Sequence, residues 1–164
     1  MRATTLWRAQ PRPIGRAVVV DIDGVLSDAS TRQHFLKNPE GVRDWDGFFG
    51  SVGEDRPLGA VPALLRLLDP ALTVVLVSGR PAWVIDRTRD WLERHGIRWD
   101  QLVLREGDDF MDPTGFKRDI VCDLREEGWE IVFAFDDNDA IVEMFVDQRV
   151  PTLYVHSGYY TARV

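Results

Sequence analysis

The sequence predicts an α/β fold in which a mostly parallel sheet is covered by helices on both faces. Short apolar runs alternate along the chain with segments of helical periodicity, as strands and crossover helices do. The 164 residues, 45% of them hydrophobic, suffice for one domain with a real core and are too few for two. Several of the apolar runs end in polar residues, and ligands of such sheets bind outside the carboxyl ends of the strands.

The elements follow from these patterns in chain order. Strands are predicted at 17–22, 72–77, 102–104, 131–135 and 152–155, and helices at 62–69, 82–95, 115–127 and 139–148. The helix boundaries rest on first-turn prolines, N-cap residues and terminal glycines, namely Pro62, Pro81, Thr114, Asp139, Gly96 and Gly128.

The amino-terminal segment differs in charge from the rest of the chain. Residues 1–16 hold four arginines, two prolines and no acid, which predicts a flexible basic arm, either a solubilising tail or a contact to phosphates. The folded domain is predicted at 17–164. Its acidity, reflected in the net charge of −7 for the whole chain, argues against a tight, sequence-independent grip on long duplex DNA. The acidity does not exclude a substrate that is bound at one phosphate.

Cysteine content and hydropathy bear on location. Cys122 is the single cysteine, so no intramolecular disulfide can form, and no Cys/His cluster suggests zinc. A reducing cytoplasm is therefore expected, with Cys122 buried on the apolar side of its helix. Neither a run of about 20 apolar residues nor an apolar leader is present, so membrane insertion and secretion are not expected.

The stretch AVVVDIDGVLSD (17–28) ends a buried strand in two acids. Alternation along a strand places Asp21 and Asp23 on the same side. Two like charges in one small volume cost energy unless a cation or a reaction needs them. Because aspartate and glycine are also common turn residues, the motif alone indicates either a turn or a metal site.

Two other strands deliver polar groups to the same edge. SGR (78–80) follows the second long apolar run, DDND (136–139) follows the run at 131–135, and Lys117 lies in the first turn of a helix. Acid pairs bind hard divalent cations, while a serine hydroxyl, a backbone N–H and a lysine can hold a phosphoryl group. A carboxylate that attacks phosphorus in such a site would form an aspartyl-phosphate.

These motifs, in this order, resemble those of the haloacid dehalogenase (HAD) phosphatase superfamily over residues 17–160. The resemblance implies a Rossmann-like sheet, a small cap inserted after the first strand, and Mg²⁺ as cofactor. It implies that Asp21 is the nucleophile and Asp23 the general acid/base, with Ser78 and Lys117 on the transferring phosphate. The implied metal ligands are Asp21, Asp23, Asp136 and Asp137.

A narrower resemblance is to the 3′-phosphatase domain of phage-type polynucleotide kinase-phosphatases. It rests on DWDGFF (44–49), VVLVSGRP (74–81), RTRDWLERHGI (87–97), LREGDD (104–109) and DDNDAIVEMF (136–145). It implies a 3′-phosphorylated DNA or RNA end as substrate, bound by Gly79, Arg32, Arg80 and Arg105. FMDPTGFK (110–117) departs from the family in lacking an arginine. No nucleotide-binding G-x-x-x-x-G-K-[ST] occurs, so a kinase or ligase would be a separate partner.

The segment 27–58 is the expected cap. Its aromatic residues, Phe35, Trp45, Phe48 and Phe49, can either pack on the core or stack on a nucleobase. Three alternatives remain open from the sequence: a small-molecule phosphatase acting on nucleotides or sugar phosphates, a non-catalytic binding module, and a response-regulator receiver. The order of the acidic motifs disfavours the receiver.

Overall fold

The computed structural model describes residues 3–37, 41–107 and 113–160. Its strands are β1 (Ala3–Trp7), β2 (Arg16–Val20), β3 (Ser27–Asp28), β4 (Arg56–Pro57), β5 (Thr73–Pro81), β6 (Gln101–Arg105), β7 (Glu130–Asp136) and β8 (Thr152–Tyr154). Its α-helices are α1 (Trp45–Gly50), α2 (Ala60–Leu67), α3 (Ile85–Arg94), α4 (Pro113–Glu126) and α5 (Asp139–Asp147). Short 3₁₀ helices cover Ala29–Phe35, Val52–Glu54 and Ala82–Val84.

Six strands form one sheet in the order β1-β6-β5-β2-β7-β8. Strands β6, β5, β2, β7 and β8 run parallel, with β2 between β5 and β7. The predicted mostly parallel α/β fold is confirmed, and each of the five predicted strands is present. Because parallel strands end at one edge, the polar groups that follow β2, β5 and β7 lie together.

Helices cover both faces of this sheet, as predicted. Val18 and Val20 of β2 belong to a core cluster that includes residues of α1, α2 and α3. Ala17 and Val19, on the opposite face, belong to a second cluster with residues of α4 and α5. The alternation along β2 thus divides the core into two apolar layers, one on each face of the sheet.

The amino-terminal residues include a strand, so the prediction of a flexible arm over 1–16 was wrong. Ala3–Trp7 pairs antiparallel with β6. The run ATTLW is rich in strand-forming residues, and the ring of Trp7 lies 6.3 Å from that of Trp129. An arginine in the same segment is also anchored, because Arg12 Nη1 lies 3.1 Å from Asp100 Oδ1.

Three local predictions on the helices need correction. Cys122 is exposed, because Val121 and Leu124 take the buried side of α4. The N-cap of α5 is Asn138 rather than Asp139, since the Asn138 side chain accepts a hydrogen bond from the backbone N–H of Ala140 at 3.0 Å. The helix α4 begins at Pro113, so Thr114 lies within it and is not its N-cap as predicted.

No described helix has the length and apolar character to cross a bilayer.

A small cap lies between β2 and α2. The short antiparallel pair β3 and β4 closes its base, and the 3₁₀ helix Ala29–Phe35 and α1 lie between them. Phe48 and Phe49 are buried in the core, so they serve packing. Trp45 is only half-buried, stacked on Phe49 with a centroid distance of 5.7 Å.

Candidate active site

The predicted site residues gather at the carboxyl edge of the sheet. Asp21 directly follows β2, Ser78 and Gly79 lie near the end of β5, and Asp136 ends β7. They line a cavity of about 550 Å³. The other predicted site residues that line it are Asp23, Arg80, Arg105, Lys117 and Asp137.

Lys117 joins two of the strand ends. Its Nζ lies 2.8 Å from Asp21 Oδ1 and 2.5 Å from Asp136 Oδ2. Burial raises the pKa of Asp21 to about 7, although the charge of Lys117 opposes the shift. Burial would lower the pKa of Lys117, but the charges of Asp136 and Asp21 outweigh it, and that pKa lies well above its usual value. The lysine therefore remains a fixed positive charge beside the Asp21 carboxyl.

Three carboxylates form a group that fits a metal ion. Oxygens of Asp21, Asp136 and Asp137 all lie within 4.8 Å of one another. Oδ2 of Asp137 is buried and has no hydrogen-bond partner among the described residues. Burial, followed by the charge of Asp21, raises the pKa of Asp137 to about 8. A hard divalent cation would supply the missing partner, and its charge would stabilise all three carboxylates.

Gly24 fixes the backbone beside this group. Its φ of +82° is a conformation that glycine adopts readily. A Cβ at this position would lie 2.0 Å from Asp137 Oδ2 and 2.6 Å from Asp137 Cγ. The D-x-D-G motif is thus both a turn and a part of the acidic site, because the turn after Asp23 packs directly on Asp137.

Asp23 lies outside the three-carboxylate group. Arg80 donates to it twice, from Nε to Oδ2 at 3.0 Å and from Nη2 to Oδ1 at 2.7 Å, and Arg32 Nη2 donates to Oδ1 at 2.5 Å. Burial would raise the pKa of Asp23, but the charges and hydrogen bonds of the two arginines lower it far below the usual range. The arrangement does not support the predicted role of the Asp23 side chain as a metal ligand.

The remaining predicted phosphate and substrate groups are placed as follows. Ser78 is buried, and its Oγ accepts a hydrogen bond from the backbone N–H of Arg80 at 3.3 Å. Gly79 lies beside open space, with nothing within 4 Å of the position of a Cβ. Arg105 ends β6 and is nearly buried. The segment FMDPTGFK (110–117), which differs from the family pattern, lies partly outside the described residues, which resume at Pro113.

A comparison with known protein families matches most of the chain. Residues 15–160 match the family described as the polynucleotide kinase PNKP phosphatase domain. The chain belongs to this family. It is a HAD-type phosphatase domain of the polynucleotide kinase-phosphatase type, as the order of the motifs predicted.

Two relatives of this phosphatase domain are much longer chains, and a third is of similar length. A protein of Autographa californica nuclear polyhedrosis virus, whose name describes a bifunctional polynucleotide kinase/RNA ligase, is 25% identical over 149 residues, covering 87% of the chain and 20% of the viral protein. A chain in the structure of the Pnkp1/Rnl/Hen1 RNA repair complex has a TM-score of 0.72 at 22% identity, covering 92% of this chain and 45% of that one. A HAD-superfamily hydrolase from Geobacter sulfurreducens has a TM-score of 0.54 at 14% identity, covering 85% and 86%. The phosphatase domain thus spans a fifth of the first relative and under half of the second.

Arg32 lies behind the active site of this phosphatase domain rather than in it. Its guanidinium is buried and does not line the cavity. Nε donates to Asp55 Oδ1 at 2.8 Å, Nη2 reaches Asp55 Oδ2 at 2.7 Å, and Nη1 donates to the carbonyl of Phe48 at 3.1 Å. This does not support the sequence-based assignment of Arg32 to direct substrate binding; its structural role is to hold Asp23.

Asp55 is a residue that sequence reasoning missed. Its side chain is wholly buried, and besides Arg32 it accepts a hydrogen bond from Ser27 Oγ. Its backbone carbonyl accepts one from Trp91 Nε1 at 2.8 Å. No local motif marks Asp55, because its partners come from distant parts of the chain.

The sequence-based predictions also missed Tyr159 and Tyr160. These two residues, near the carboxyl end of the chain, line the cavity.

Proposed function

We propose that the chain is a Mg²⁺-dependent phosphomonoesterase that removes 3′-phosphates from polynucleotide ends. The observation that carries the proposal is the Asp21 carboxyl, which faces the cavity between Lys117 and two further acids. The family supports a phosphatase. The viral relative is described as a polynucleotide kinase/RNA ligase, and the chain of known structure belongs to an RNA repair complex. A kinase or a ligase is the partner class that these relatives suggest.

Asp21, Asp136 and Asp137 would hold the Mg²⁺. All three offer carboxylate oxygens, which are the ligands that Mg²⁺ prefers, and Asp137 Oδ2 is buried without a partner among the described residues. When bound, the ion would offset negative charge on the phosphoryl group and on the carboxylates around it.

The chain's own residues account for the transfer. A carboxylate oxygen of Asp21 attacks phosphorus, an Asp21 O–P bond forms, and the bond from phosphorus to the substrate's 3′ oxygen breaks. Lys117, fixed beside Asp21, and Ser78, with the backbone of Gly79, bind the phosphoryl oxygens. Water then attacks the phosphorus of the aspartyl-phosphate, which releases inorganic phosphate and restores Asp21.

Asp23 handles the proton in both halves of this cycle. It gives a proton to the departing 3′ oxygen and takes one back from the attacking water. In the free protein Arg32 and Arg80 hold Asp23 as the carboxylate. The negative charge of a bound phosphate opposes the effect of these arginines and raises the pKa of Asp23, so that Asp23 can take from solvent the proton that it gives to the 3′ oxygen.

Metal removal is the first test. Dialysis against EDTA should abolish phosphatase activity, and Mg²⁺ at about 100 times its Kd should restore it and stabilise the fold by about 2.7 kcal/mol. For a chain of this size that corresponds to a rise in Tm on the order of 5–10 °C. Asp137→Asn should lose this Mg²⁺-dependent rise, whereas Asp123→Asn, on the exposed side of α4, should keep it. Full activity in EDTA would contradict the metal proposal.

A substrate panel tests the specificity. With Mg²⁺, kcat/KM should be at least about tenfold higher for a 3′-phosphorylated oligonucleotide than for its 5′-phosphorylated isomer, which corresponds to about 1.4 kcal/mol of transition-state discrimination. The panel includes mononucleotides, sugar phosphates and p-nitrophenyl phosphate. Preference for a mononucleotide or a sugar phosphate would favour the small-molecule phosphatase, and inactivity on every ester would favour a binding module.

A further inference from the structure

The cavity is larger than the group that reacts in it. Its volume of about 550 Å³ falls within the range of pockets for small-molecule ligands, and a phosphoryl group would fill only a small part. The catalytic groups come from the sheet edge and α4. The cap contributes a separate part of the lining, including Gln33, Lys37, Arg43 and Trp45.

Two exposed cations distinguish the cap lining from the catalytic lining. Lys117 is paired with Asp21 and Asp136, and Arg80 with Asp23. Lys37 and Arg43 are exposed, and neither forms an ion pair with a carboxylate among the described residues. Lys37 and Arg43 line the cavity, whereas the nearby acids Asp44 and Asp46 do not, so these two cations would attract an anion to this part of the lining.

Trp45 supplies a fixed apolar surface next to these cations. It begins α1, stacks on Phe49 with an interplanar angle of 16° and meets Phe48 edge to face. The guanidinium carbon of Arg43 lies 5.8 Å from the centroid of the Trp45 ring. An aromatic side chain with adjacent basic residues is a combination that binds single-stranded nucleic acid, because bases stack and phosphates pair with cations.

We propose that the cap carries a subsite for the terminal nucleotide, in which Trp45 contacts the nucleoside and Lys37 and Arg43 bind the next phosphodiester on the 5′ side. The inference rests on the proposed function. It assigns to Lys37 and Arg43 the contact with the substrate that the sequence had suggested for Arg32, and it identifies the substrate as a single strand of at least two nucleotides rather than a mononucleotide.

The test compares three substrates: a 3′-phosphorylated oligothymidylate, thymidine 3′-monophosphate and p-nitrophenyl phosphate. In Lys37→Gln/Arg43→Gln the ratio of kcat/KM for the oligonucleotide to that for p-nitrophenyl phosphate should fall about tenfold or more. The slope of log kcat/KM against log salt concentration for the oligonucleotide should become shallower by about 0.7, since the two cations neutralise one phosphodiester. The charge-matched control is Arg66→Gln/Arg118→Gln, two exposed arginines that do not line the cavity, and it should keep both values.

Trp45 has its own readout. Trp45→Ala should reduce kcat/KM for the oligonucleotide and for thymidine 3′-monophosphate about tenfold relative to p-nitrophenyl phosphate, and Trp45→Phe should restore most of the loss. The Tm of each variant shows whether α1 remains folded.

The outcomes separate the two proposals. If the wild-type enzyme hydrolyses p-nitrophenyl phosphate but not the 3′-phosphorylated oligonucleotide, the proposed substrate is wrong, and the proposed subsite is wrong as well. If the wild-type enzyme prefers the oligonucleotide but the Lys37/Arg43 variant keeps the ratio and the salt slope of the control, only the subsite is overturned.

Discussion

Asp21→Asn is expected to lower kcat by about 10⁴-fold or more, because the amide has nearly the shape of the carboxylate but cannot attack phosphorus. The fold should persist. Burial raises the pKa of Asp21 to about 7, so the ionised carboxylate is costly in the metal-free protein, and a neutral amide removes that cost. Lys117 keeps its contact with Asp136 at 2.5 Å. The metal-free variant should therefore melt close to the wild type.

Two measurements distinguish loss of the nucleophile from general damage. Rapid acid quench of the wild type during turnover should yield a phosphorylated, hydroxylamine-labile peptide that contains Asp21, and the variant should yield none. Asp123→Asn, the same chemical change on the exposed side of α4, should retain wild-type kcat. Turnover by Asp21→Asn at the wild-type rate would remove the nucleophile assignment.

The sequence was informative where chemistry follows a strand directly. Asp21 and Asp136 were placed correctly because each stands at the end of a buried apolar run, and parallel strands bring such ends to one edge. Lys117 was expected near these acids from its position in the first turn of a predicted helix, and the structure places it between Asp21 and Asp136.

The sequence was uninformative where a residue's role depends on a distant partner. The arginines and prolines of residues 1–16 predicted a flexible arm, and the strand Ala3–Trp7 was missed because its partner β6 lies about a hundred residues later in the chain. Arg32 was assigned to the substrate by the resemblance to the family, and no local pattern indicated that Asp55 pairs with it in a buried site. Tertiary pairing of this kind leaves no local periodicity.

Asp55→Ala is expected to destabilise the protein by about 3–5 kcal/mol, because removal of one partner from a buried ion pair leaves the other charge uncompensated. Asp55 accepts two hydrogen bonds from Arg32, and its Oδ2 lies 3.6 Å from Arg80 Nη2. All these groups are buried. For a chain of this size the loss corresponds to a fall in Tm on the order of 10 °C.

The effect should extend to catalysis, since the arginines that Asp55 orients also hold Asp23. Without Asp55, Arg32 and Arg80 are free to adopt other contacts, and the Asp23 carboxylate loses its fixed orientation toward the reacting group. At a temperature well below the Tm of the variant, kcat for a phosphate ester should fall while KM changes little, because Ser78 and Lys117 still bind the phosphate. Asp55→Asn, which keeps the shape of the side chain and one acceptor for Arg32, should recover part of both losses.

Asp86→Ala provides the matched comparison for this prediction. Asp86 lies 2.7 Å from Arg89 Nη1, as close as Asp55 Oδ2 lies to Arg32, but both side chains of that pair are largely solvated. Exposed pairs contribute about 0–1 kcal/mol, so this variant should keep its Tm within a few degrees and its kcat unchanged. If Asp55→Ala matched Asp86→Ala in both Tm and kcat, the buried network would have no role in fixing Asp23. A fall in Tm without a fall in kcat would limit Asp55 to anchoring the cap on the core.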